Sequence, residues 1–158
     1  MITKKPESID YNCKIYKALK LLAEGLYPYI ETKMREYYSD NWLDKVKYIL
    51  KNQQGLKKSN LDETLRQDVF LQLKLIYKLW DNVFENHLNQ ATEEKLRFSK
   101  SKVKKLLNIR NNIAHFLPFS KNKADTALDS IIQLLKAIGA AEVENVENEK
   151  QELLQFLS

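Results

Sequence analysis

A chain of 158 residues can bury one hydrophobic core and is short for two, and with three Gly and three Pro it is poor in the residues that break helices. Two histidines, His87 and His115, and a lone Cys13 exclude a His-rich or Cys/His metal site and an intrachain disulfide. Three scattered glycines exclude a phosphate-cradling loop, and no run approaches the roughly 20 apolar residues that cross a bilayer.

The expectation is therefore an all-α bundle of four or five helices, with no cofactor and no membrane partner, in a cytoplasm-like compartment that leaves the single thiol reduced. A metal site built from carboxylates alone has no motif behind it. Residues 1–141 read as the helical domain, and residues 142–158 as an acidic tail, either a further helix or a linker.

The first helix is predicted from about Ser8 to Tyr38, because Ile15, Leu19, Leu22, Leu26, Ile30 and Met34 recur at three- and four-residue steps. Gly25 and Pro28 predict a kink in it, or two abutting helices. Ser39-Asp40-Asn41 supplies a cap for a short helix from Trp42 to about Lys51, and the polar run from Asn52 to Asn60 reads as a loop. A long helix is expected from Leu61 or Arg66 to Leu88, with Val69, Leu73, Ile76, Tyr77, Trp80, Val83 and Phe84 forming a core wall. At that spacing Trp80 belongs to the core rather than to a base-stacking platform. Ser99 or Ser101 caps the next helix, which runs to about His115 and stops before Pro118. Ser120 opens a last core helix carrying Ala127, Leu128, Ile131, Leu134, Leu135 and Ile138, with Gly139 as its C-cap. In the tail, Leu153, Leu154 and Phe156 are the apolar residues a further helix would use.

Charge is unevenly placed along a chain of net charge +5. Every charged residue from Lys95 to Lys123 is basic, whereas beyond Ala141 five glutamates face only Lys150. Such a basic block either attracts a polyanion or is a solvated face with no partner. If it binds RNA, the contacting residues are Lys102, Lys104, Lys105, Lys121 and Lys123. The tail glutamates are then candidates to compete with RNA for that block.

The helix ending at His115 breaks its own pattern. Its apolar stripe is Val103, Leu106, Leu107, Ile113 and Ala114, and the position that completes the stripe is Arg110. A guanidinium set against apolar neighbours is costly unless paired, so this position marks either function or a structural ion pair. In the structural alternative, Arg110 pairs with Asp68 or Asp81 and His115 caps the helix C-terminus, where a cation suits the helix dipole. Asn111 lies four residues before His115 and is its neighbour on the helix surface. Arg110 lies five before it, about 140° away on an ideal helix. Arg110 and His115 therefore meet only through a loosened last turn or through a second copy of the helix across a two-fold axis.

The run Asn108-Ile109-Arg110-Asn111-Asn112-Ile113-Ala114-His115, followed by Pro118-Phe119-Ser120 and Ala127-Leu128-Asp129, resembles the HEPN superfamily. The likeness is to a subgroup shared by prokaryotic proteins and a eukaryotic endonuclease of messenger-ribonucleoprotein quality control. Leu26-Tyr27-Pro28-Tyr29-Ile30-Glu31 and Trp80-Asp81-Asn82-Val83-Phe84 agree with it, and the resemblance covers about Ala18 to Gly139. One departure is Ile113, where many relatives carry a larger aromatic.

The resemblance implies a helical bundle that dimerises with its motif helices at the interface. It also implies metal-independent cleavage of RNA by the 2′-hydroxyl, leaving a 2′,3′-cyclic phosphate and a 5′-hydroxyl. On that reading Arg110 holds the scissile phosphate, His115 moves protons and Asn111 orients the imidazole or the phosphate. The biological settings it suggests are defence, toxin–antitoxin pairing and RNA surveillance, with an antitoxin or a larger multidomain protein as a further partner. HEPN folds also serve as non-catalytic dimerisation or RNA-binding adaptors.

Overall fold

The computed structural model describes residues 7–53, 60–91 and 93–157, and the regular structure among them is helical. The helices are α1 (Glu7–Tyr38), α2 (Trp42–Ile49), α3 (Leu61–Gln67), α4 (Val69–Lys78), α5 (Glu85–Leu88), α6 (Lys100–Ala114), α7 (Lys121–Ile138) and α8 (Val143–Leu157). The chain is thus an all-α bundle, as its composition requires.

α1 is the axis of that bundle. Ile15, Ala18, Leu19, Leu22, Leu26, Ile30 and Met34 are all buried, and α7, α4, α3 and α8 pack around them with α2 and α6. Pro28 does not divide α1, which is one continuous helix across it. The proline ring is exposed, while Leu26, Tyr27 and Ile30 on either side are buried and hold the turn. Gly25 is used differently: a Cβ there would stand 2.8 Å from Leu135 Cδ2 and 3.1 Å from the Ala140 Cβ. The missing side chain lets the end of α7 lie directly on α1.

The expected long helix from Leu61 to Leu88 is broken. Asp68 adopts an extended conformation (φ −103°, ψ 98°), and its carboxylate accepts the Leu71 N–H at 3.2 Å, which starts α4 afresh. At the other end a π-turn at Trp80–Phe84 joins α4 to α5. The extra residue of that turn keeps Trp80, Val83 and Phe84 buried together, so Trp80 is a core residue. The cap expected before α2 takes another form: Ser39–Asn41 is a 3₁₀ turn, and Asn41 makes no capping bond. The loop read from Asn52 to Asn60 falls mostly on residues 54–59, outside the described ones.

Ser99 and Ser120 cap α6 and α7 by accepting the Lys102 and Lys123 N–H groups, and Gly139 ends α7 at φ 70°. α8 packs on α1 and α7 through buried Val146 and Leu153; the side chains of Leu154 and Phe156 lie outside the described ones. Its charges pair inward: Lys14 meets Glu149 at 3.1 Å and also Glu152, Lys150 meets Asp129, and Lys136 meets Glu147 at 3.4 Å. Three of the tail glutamates are therefore engaged by lysines of α1 and α7 rather than by the basic segment around α6. Among the described residues no helix is long and apolar enough to cross a membrane.

One polar side chain, Gln72, is completely buried where α1, α3 and α4 meet. Its Nε2 donates to the carbonyls of Ala23 (3.0 Å) and Leu65 (2.8 Å), and so caps the end of α3 against α1. Replacing it with leucine leaves the Leu65 carbonyl at the open end of α3 without this partner, a loss of about 1–3 kcal/mol. The Gln72→Leu protein should therefore melt roughly 3–10 °C lower in a calorimetric scan. An unchanged or raised Tm would show that the amide does not hold these helices together.

Candidate functional site

α6 positions the motif. Val103, Leu106 and Leu107 bury one face of it against the bundle, and the next residues along that face are Arg110 and Ile113, both half-buried. The Arg110 guanidinium carbon sits 4.7 Å from the centroid of Phe70, within the range of a cation–π contact. Its Nη1 donates to Asn111 Oδ1 at 3.4 Å. Asp68 is occupied as the α4 cap and Asp81 is exposed on the π-turn; among the described residues Arg110 forms an ion pair with neither. The cation is accommodated by an aromatic face instead of a carboxylate, so its charge is not neutralised.

Arg110 lines a cleft of about 510 Å³ between α1, the α3–α4 break and α6. Tyr16, Lys20, Thr64, Gln67 and Asp68 line it too. A second, more apolar cleft of about 690 Å³ continues from it along α1, past Ile113 to Phe116 and Pro118. The two share Tyr16, Lys20 and Ile113 and so form one groove. Lys20 was not among the sequence candidates; it is one of many lysines in the chain, and only the packing of α1 against α6 places it beside Arg110.

His115 stands at the end of α6 as the C-cap and is exposed. Helical geometry persists through Ala114, so no unwinding brings His115 round to Arg110, and His115 lines neither part of the groove. The Asn111 side chain meets Arg110, whereas Asn111 is tied to His115 only through the backbone, the His115 N–H donating to its carbonyl at 3.0 Å.

The helix ends in a Schellman turn. The Phe116 N–H donates to the Ile113 carbonyl (3.0 Å) and the Leu117 N–H to the Asn112 carbonyl (2.9 Å). Such a turn needs a left-handed residue, and here it is Phe116 at φ 58°, a conformation that costs a non-glycine residue about 1–3 kcal/mol. Phe116 is 88% exposed and Leu117 49%, so two apolar side chains project beside the histidine.

What fixes this strained turn is Asn12, a residue that no local sequence pattern singles out. Its Nδ2 donates to the Leu117 carbonyl at 3.0 Å, and its Oδ1 accepts the Phe119 N–H at 3.1 Å. One amide thus clamps both sides of Pro118 to α1, and buried Phe119 anchors the chain beyond.

The five lysines assigned to RNA lie elsewhere on the surface. Lys104 and Lys105 are exposed on α6, Lys121 and Lys123 are exposed at the start of α7, and Lys102 is half-buried with its Nζ donating to the Arg97 carbonyl. None of them lines the groove. The second histidine has a structural setting: His87 Nδ1 lies 2.9 Å from the Tyr29 hydroxyl, and partial burial, with Lys33 nearby, holds its pKa below the ordinary histidine value. Among the described residues no three His, Cys, Asp or Glu side chains gather as a metal site would require.

The Asn12 clamp has a local readout. Asn12→Ala removes the acceptor of the Phe119 N–H, worth about 0.5–1.5 kcal/mol, so exchange of that amide should quicken by up to roughly ten-fold. Asn12→Asp keeps the acceptor and should preserve protection. Equal exchange in wild type and Asn12→Ala would contradict the clamp.

Residues 17–139 match the family described as Swt1-like HEPN. No curated protein matches the chain, and neither does any solved structure. The matched span runs from α1 to the glycine that ends α7 and contains Arg110, Asn111 and His115. On that match over most of its length, and on the all-helical bundle that carries the motif, the chain belongs to the Swt1-like HEPN family.

Proposed function

We propose that this protein is a metal-independent endoribonuclease that works as a homodimer. The observation that carries the reading is Arg110: it is half-buried over an open cleft, stacked on Phe70, with no carboxylate partner among the described residues. A cation held in that state is poised for an anion supplied from outside, and RNA supplies a phosphate.

RNA also brings its own nucleophile. The 2′-oxygen bonds to phosphorus and the bond from phosphorus to the 5′-oxygen breaks, leaving a 2′,3′-cyclic phosphate and a 5′-hydroxyl. The proton lost by the 2′-hydroxyl ends on the departing 5′-oxygen. Histidine is the side chain suited to carrying it near neutral pH, and His115 has that role here. Arg110 binds the non-bridging oxygens and stabilises their charge in the transition state, and Asn111 steadies the guanidinium.

Within one chain the two groups point apart, so the partner supplies the missing one. Phe116 and Leu117 beside His115 are the contacts through which a second copy docks, placing its histidine at the arginine of the first. Lys102, Lys104, Lys105, Lys121 and Lys123 draw RNA toward the assembly. Cleavage of this kind fits defence, a toxin restrained by an antitoxin, or RNA surveillance. The same divergence of Arg110 and His115 favours a second reading, a HEPN adaptor that dimerises or binds RNA without cutting it.

Incubation of RNA with the purified protein in EDTA separates the two. The proposal expects cutting of RNA but not DNA, and a fall of about a hundred-fold or more in both Arg110→Ala and His115→Ala. Undiminished cutting by His115→Ala, or dependence on added metal, would overturn the chemistry. Wild-type protein that binds RNA and never cuts it would favour the adaptor.

A further inference from the structure

The groove holds more than the arginine that the proposed chemistry needs. Tyr16 is 56% exposed although it projects from α1, the helix around which the others pack. It lines both parts of the groove. Lys20, one turn along α1, lies with its Nζ 5.9 Å from the centroid of the tyrosine ring and also lines both parts. Across from them stand Arg110 and, at the end of α3, Thr64 and Gln67. The remaining charged side chain of the Arg110 cleft, Asp68, caps α4 through one oxygen and keeps a negative charge at the cleft wall. The cleft therefore offers two cations against one carboxylate, with an accessible ring, a hydroxyl and an amide.

We propose that this cleft is a subsite for one unpaired nucleotide of single-stranded RNA. Its base stacks on Tyr16 and its phosphate lies between Lys20 and Arg110. The inference rests on the ribonuclease reading for the direction of the strand, but adds the residues that seat the substrate. A π-face accepts any base, so Tyr16 supplies affinity without strong sequence preference. The Gln67 amide and the Thr64 hydroxyl are placed to meet a base edge and supply what preference there is. A base held in a duplex cannot reach the ring, so the subsite selects unpaired RNA.

The test is binding of a fluorescein-labelled RNA 12-mer, single-stranded or annealed to its complement, in a His115→Ala background that prevents turnover. Tyr16→Ala should weaken single-strand binding at least about five-fold, while Tyr16→Phe, which keeps the ring, stays within about two-fold of the parent. Duplex binding should be indifferent to either change. Lys20→Gln should lower affinity and reduce the salt dependence by about one phosphate contact. Unchanged single-strand affinity in Tyr16→Ala would overturn the subsite, as would equal losses in the Phe and Ala variants. Light scattering on the same samples covers the other use of an exposed tyrosine: if Tyr16→Ala merely dissociates a dimer, the surface is a protein interface and the subsite is wrong. The two readings fail separately. Wild-type protein that cuts RNA while binding is insensitive to Tyr16 refutes the subsite alone. Tyr16-dependent binding without any cutting supports the subsite and refutes the nuclease.

Discussion

The position of every element around the site depends on the burial of α1. Its apolar arc, from Tyr11 to Met34, is covered on several sides at once, so α4, α6, α7 and α8 are each placed relative to α1. Each buried aliphatic side chain contributes about 1.5–3 kcal/mol, and the arc is the largest continuous contribution to the core. The groove that Arg110 lines is the margin of that same helix. Tyr16 and Lys20 lie where the arc gives way to solvent, and Asn12 reaches from α1 to hold the end of α6. A bundle loosened along α1 would lose the cleft and the His115 turn together.

Arg110 shows how the bundle accommodates a cation in an apolar stripe. A fully buried, unpaired guanidinium would carry a desolvation cost of several kcal/mol. Half-burial, the face of Phe70 and an open cleft reduce that cost without neutralising the charge. A carboxylate at ion-pair distance would have stabilised the free protein and competed with any phosphate. Phe116 is a parallel case at the other end of the motif, where a left-handed backbone and an exposed ring are tolerated because the Schellman bonds and Asn12 hold the turn.

Much of this was legible in the sequence. The spacing from Ile15 to Met34 and from Ala127 to Ile138 marks α1 and α7, and Ser99, Ser120 and Gly139 mark helix ends, because these signals are local. The conflict at Arg110 was also visible, as a charge in an apolar stripe. Other features were not. The break at Asp68 depends on one residue leaving helical geometry within an otherwise unbroken apolar pattern, and the π-turn at Trp80–Phe84 alters register without altering composition. The continuity of α1 through Pro28 depends on burial on either side, which no local rule contains. Asn12 and Lys20 follow no local pattern: Asn12 bonds residues 105 and 107 positions along the chain, and Lys20 shares a cleft with Arg110, which lies on another helix.

The geometry of α6 leaves one question that decides the rest. A regular helix sets Arg110 and His115 about 140° apart, and the proposed mechanism takes one of the two from a second chain. Mixing two inactive proteins, Arg110→Ala and His115→Ala, under conditions where subunits exchange tests this directly. In half of the dimers the chains are mixed, and in each of those one cleft receives an intact arginine from one chain and an intact histidine from the other. The account predicts that RNA cleavage returns to about a quarter of the wild-type rate. Exchange proven by mass spectrometry with no return of cleavage would contradict it, placing both groups of each site on a single chain.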